Sequence, residues 1–81
     1  MEETLKEVQE LQRIAMYKGI SFDIFSSVSG LEQFVEVRMS YFKDGVVQEN
    51  RALTTKFTPK TNKAEKEKRF NRIEKFIKDI E

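Results

Sequence analysis

Apolar residues near the start of the chain fall at Leu5, Val8, Leu11 and Ala15. Those spacings of three, three and four place them on one face of a helix, so "TLKEVQELQRIAMYKG" is predicted helical. Thr4 and Glu7 have the spacing of a capping box, in which each side chain bonds the other's backbone N–H. Glu2 and Glu3 lie near the positive end of the helix dipole. Gly19 offers a stop, because it turns left-handed without a Cβ clash.

From Ile20 the period changes to two. In "ISFDIFSSV", Ile20, Phe22 and Ile24 point one way, and Ser21, Asp23, Phe25 and Ser27 the other. Ser29 and Gly30 signal a turn. "QFVEVRMSYF" continues the alternation, with Val35, Val37, Met39 and Tyr41 opposite Phe34, Glu36, Arg38, Ser40 and Phe42. "KDG" at 43–45 is a hairpin signal, since Asp-Gly readily takes up positive φ angles. In the third strand, "RALTTKF", Leu53, Thr55 and Phe57 face the core. The same parity would also turn Glu49 and Arg51 inward, a conflict that a bulge near Gln48 to Asn50 or a longer loop resolves. Pro59 ends the strand because it has no N–H for the ladder. A last helix starts after Thr61 or Asn62, either of which can cap it. Its stripe is Phe70, Ile73, Ile77 and Ile80, widened by Phe76.

The expected fold class is α+β, a two-layer α-β-β-β-α domain spanning residues 1–81. A three-stranded antiparallel sheet packs both helices on one face, since each helix has one apolar stripe. The other sheet face then stays open.

Composition narrows the chemistry. A chain of 81 residues buries only roughly 60 to 65% of its unfolded surface. Its stability should be about 4 to 12 kcal/mol. It has no cysteine and no histidine, which removes disulfides, thiolate or imidazole metal ligands, and the side chain that titrates nearest neutrality. No P-loop, glycine-rich dinucleotide turn or activated nucleophile set is present, so a non-enzymatic protein without cofactors is expected. Glu7 and Glu10 share a helix face, but Lys6 and Arg13 beside them disfavour a cation. No apolar run approaches the ~20 residues that cross a bilayer. The acidic, amphipathic start is unlike a secretion signal, so a soluble, cytoplasmic chain with no membrane partner is expected.

The net charge of +1 is unevenly spread: −3 over residues 1–55 and +4 over 56–81. Six cations and two anions lie between Lys60 and Arg72. Lys60, Lys63, Lys66 and Arg69, at spacings of three, are the candidates for nucleic-acid binding. Cations at a helix N-terminus oppose its dipole, which points to function. Glu65, four residues before Arg69, points instead to a solvated, self-neutralising face.

The α-β-β-β-α order, with lysines where the second helix begins, resembles a double-stranded RNA-binding domain. The likeness is one of topology over nearly the whole chain. Of that family's lysine, lysine, any residue, alanine, lysine pattern, "NKAEK" keeps only Lys63 and Lys66. The turn "SSVSGLEQ" has the glycine but neither the proline nor the histidine of the family's minor-groove element. The resemblance implies that Lys60, Lys63 and Lys66 hold phosphates across a major groove, with the first helix and the Ser29–Gln33 turn on the flanking minor grooves.

The second candidate surface is the open sheet face, with Phe25, Phe34, Arg38 and Phe42. Its rings could form the centre of a protein interface or homodimer, stack unpaired bases, or belong to the core if the register slips. Asp23 and Glu36 count against phosphate. The expected function is a small module acting through an unidentified protein partner or a second copy; nucleic-acid binding is the alternative. In size and charge density the chain is similar to accessory proteins of phages and mobile elements.

Overall fold

Both periodicities translate directly into elements. The computed structural model describes residues 1–44 and 46–80, with side chains among these except at positions 42, 43 and 46–51. Helix α1 (Glu2–Met16) is followed by strands β1 (Ile20–Ser27), β2 (Phe34–Lys43) and β3 (Val46–Phe57), and by helix α2 (Lys63–Asp79). The strands form one antiparallel sheet in chain order. β1 pairs with β2 from Ile20 opposite Tyr41 to Ser27 opposite Phe34.

The β2–β3 ladder runs from Val35 opposite Phe57 to Ser40 opposite Ala52, then resumes at Phe42 opposite Val47. Positions 48–51 of β3 are thus absorbed against Tyr41 alone. This irregularity lies where the parity conflict requires one, and it lets β3 begin at Val46, earlier than "RALTTKF" suggests. The side chains of Glu49 and Arg51, whose parity raised the conflict, lie outside the described residues. Asp44 has φ 55°, the left-handed geometry expected of the hairpin turn; Gly45 is outside the described residues.

The core gathers the inward sheet positions Ile20, Phe22, Val35, Val37, Met39 and Phe57 with Val8 and Ala15 of α1 and Ile73, Ile77 and Ile80 at α2. Both helices therefore cover the same sheet face, as their single stripes require. Phe57 is fully buried, and its ring lies 4.8 Å from that of Phe70 at an interplanar angle of 29°. This is a stacked pair of the sort worth about 0.5 to 1.5 kcal/mol beyond area burial.

The start of α1 differs from the expected capping box. The helix begins at Glu2, Met1 supplies the cap position without a side-chain bond, and Leu5 N–H donates to the Met1 carbonyl at 3.0 Å. Thr4 sits inside the helix and is buried. It shares a face with Val8 and Ala15, and packing claims it before capping can. At the other end Gly19, with φ 72°, donates to the Met16 carbonyl at 3.2 Å and stops the helix as expected. Asn62 caps α2, accepting from Glu65 N–H at 2.8 Å.

The two helices run parallel. Lys66 near the start of α2 lies 3.9 Å from Glu7 near the start of α1. At the far end the Lys18 ammonium, just past α1, donates to the carbonyls of Ile77 and Ile80 at 2.9 and 3.0 Å. A cation on the exposed carbonyls of a helix end satisfies orphan acceptors and offsets the negative dipole end.

Two stability predictions follow from this packing. Phe57→Ala is expected to cost about 3 to 5 kcal/mol, read from urea denaturation. Lys18→Met keeps the aliphatic stem and is expected to cost about 1 kcal/mol. Its amide-exchange signature is faster exchange confined to the last turn of α2.

Candidate functional site

The sheet face turned away from the helices presents two cross-strand rows. In one, Phe25, Glu36 and Lys56 stand side by side; in the next, Asp23, Arg38 and Thr54. Phe25 is 45% exposed and outside the core, so the register does not slip and this ring is available. The Arg38 guanidinium lies 4.7 Å from the Phe25 ring centroid and also pairs with Glu36 at 3.0 Å. The Lys56 ammonium lies 5.0 Å from the centroid of the half-buried Phe34 ring. Each cation–π contact is worth about 0.5 to 1 kcal/mol on an exposed face. The structure thus brings Phe25, Phe34 and Arg38 together on one face, with Glu36 and Lys56 interleaved. The side chain of Phe42 lies outside the described residues.

The four cations singled out at the start of α2 divide into two pairs. Lys60 and Lys63 are exposed, and among the described residues neither pairs with a carboxylate. Lys66 approaches Glu7, and its ammonium lies 5.8 Å from the Phe70 ring centroid. Arg69 is engaged within the chain: it donates to the Lys56 carbonyl, reaches Thr61 Oγ1 at 3.5 Å and pairs with Glu65 at 3.5 Å. It ties the start of α2 to the end of β3. Thr61 Oγ1 also accepts from Thr58 N–H at 3.0 Å, closing the connection past Pro59.

Arg69 has a counterpart across the sheet. Gln12 of α1 donates from Nε2 to the Phe22 carbonyl at 2.7 Å. β1 and β3 are the edge strands, so a helix side chain occupies one main-chain acceptor on each edge. Occupied edges offer less template for pairing with another chain. Sequence reasoning missed both roles, because donor and acceptor lie ten and thirteen residues apart and no local pattern links them.

Among the described residues no group of three or more histidine, cysteine, aspartate or glutamate side chains could hold a metal ion. Glu10, half of the weighed carboxylate pair, is held by Arg13 at 2.8 Å. No helix among the described residues is long and apolar enough to cross a membrane. Compared with family models, curated proteins and solved structures, the chain matches none. Its likeness to double-stranded RNA-binding domains accordingly remains one of element order.

Arg69→Met should cost about 1 kcal/mol through the lost carbonyl bond, the exposed Glu65 pair adding little. Thermal melts check the loss, and light scattering on warming should show earlier aggregation than in the parent chain.

Proposed function

We propose that this chain is a small binding module that acts by protein contact through the free face of its sheet, with a second copy of itself as the partner. The observation that carries the reading is the make-up of that face. An exposed phenylalanine of the edge strand β1 lies beneath an arginine of the central strand, and both residue types are enriched at protein interfaces. Asp23 and Glu36 offset Arg38 and Lys56, so the described part of the face is a poor match for a phosphate backbone and a good one for protein of mixed charge.

Self-association is favoured by the order of charges on the central strand. Glu36 and Arg38 are consecutive on the free face of β2. A two-fold axis lying across the strands between them sets Glu36 of each copy against Arg38 of the other, and brings both Phe25 rings into the contact. Like surfaces that are self-complementary in this way are what a two-fold interface requires. A stable contact takes about 800 Å² from each partner, a modest part of the 5894 Å² that the chain exposes.

Sedimentation velocity over a range of concentrations tests the reading. A concentration-dependent dimer is expected, and Arg38→Glu, which sets like charges face to face, should abolish it while the melting temperature holds within a few degrees. A monomer at every concentration removes the second copy as partner. Phe25→Ser should weaken the dimer without unfolding the chain; if it unfolds the monomer, the ring serves the core and the proposed face loses its exposed aromatic ring.

A further inference from the structure

A second group of cations, besides the one at the start of α2, lies along the outer side of that helix. Lys68, Arg72 and Lys75 are all exposed, and with Ala64, Glu67 and Asn71 they line a shallow depression of about 390 Å³. The helical neighbours of Arg72 at i−4, i−3 and i+3 are Lys68, Arg69 and Lys75, and the remaining one is Phe76. Every such like-charge pair destabilises an isolated helix. Among the described residues, Lys68, Arg72 and Lys75 pair with no carboxylate.

The acids of α2 relieve this cluster only at its end, where the exposed Asp79 stands four residues after Lys75. Glu65 is committed to Arg69. Glu67 and Glu74 line the groove between the helices, together with Glu7, Glu10, Lys63 and Lys66, although Glu67 also reaches the rim of the outer depression. The charges of α2 are thus mixed toward α1 and mainly cationic outward, with Glu67 at the rim and Asp79 at the end of the outer side. A helix selected only for stability would place an acid three or four residues from Arg72; Lys68 has Glu65 and Lys75 has Asp79 at such spacing, but Arg72 has none. Local rules broken without a compensating contact mark functional positions.

We infer that the outer face of α2 is a binding site for the phosphate backbone of a nucleic-acid duplex, read without regard to base sequence. From Lys68 to Lys75 the three cations span about 10 Å of helix, facing a ligand that carries a charge every ~1.7 Å of its axis. Ala64 and Asn71, short side chains between the long ones, keep the face shallow enough for a backbone to lie against it. The site is on the opposite side of the molecule from the free sheet face, and it stands whether or not that face binds protein.

The test is fluorescence anisotropy of the full chain with labelled mixed-sequence DNA and RNA duplexes, set against vesicles rich in anionic lipid. Three released counterions predict a log–log salt slope near −2.7, or about a 40-fold loss of affinity between roughly 50 and 200 mM salt. The triple variant Lys68→Gln, Arg72→Gln, Lys75→Gln should lose that slope, whereas Lys60→Gln with Lys63→Gln should keep most of it. The triple variant should also melt at or above the parent temperature, because it removes like-charge repulsion. Undetectable duplex binding at low salt, an unaltered slope in the triple variant, tighter binding to vesicles than to either duplex, or a lower melting temperature would each overturn the assignment. Arg72→Gln alone provides the same readings with the smallest change to the helix.

Discussion

The structure depends on the burial of one sheet face by two helices at once. The apolar face of the three-stranded sheet, which runs from Ile20 to Phe57, has to be covered, and two amphipathic helices share that task. Val8, Ala15, Ile73, Ile77 and Ile80 close over the sheet together. Because the described chain spends both helices on that side, nothing is left to cover the reverse. The exposed Phe25 is a consequence of this economy, and Arg38 lying over its ring is the local compensation.

Polar side chains bonded to main-chain carbonyls hold this thin assembly at its margins. Gln12 reaches Phe22, Arg69 reaches Lys56, and Lys18 reaches Ile77 and Ile80. Each joins a helix or its end to an element distant in sequence, and each satisfies an acceptor that a small core leaves near water. Net hydrogen bonds of this kind contribute about 0.5 to 1.5 kcal/mol each, a meaningful share of the stability of a chain this short. The same commitments decide which cations remain for other work. Arg69 is drawn into the fold, and Lys68, Arg72 and Lys75 are left outside it.

Most of the architecture was legible because it is written in periods. Spacings of three and four marked α1 and α2, and alternation marked the strands. The clash of parity at Glu49 and Arg51 called for a bulge or a longer loop, of which the register shift in the β2–β3 ladder is the outcome. Thr4 misled, since a threonine three residues before a glutamate has the same spelling whether it caps a helix or packs within one. The site was less legible. That Phe25 faces outward followed from alternation, but the stacking of Arg38 on it depends on neighbouring strands, and the duty of Arg69 on a carbonyl thirteen residues back. The cationic side of α2 was visible in the letters alone, as an arginine with cations three and four residues away, yet its meaning needed the paired acids to be placed.

Strand order equal to chain order has a kinetic side. Each ladder joins consecutive segments, so the meander forms by short loop closures. The Lys18 contacts that fasten the end of α2 bridge 59 and 62 residues. Closure entropy rises with the length of chain enclosed, and contacts of high sequence separation slow the route to the native state. The start of α2 is joined to the neighbouring β3 by the Phe57–Phe70 stack and the Arg69 bond, each spanning thirteen residues. The Lys18 contacts at its far end therefore carry the largest closure cost and act as a latch on an otherwise local assembly.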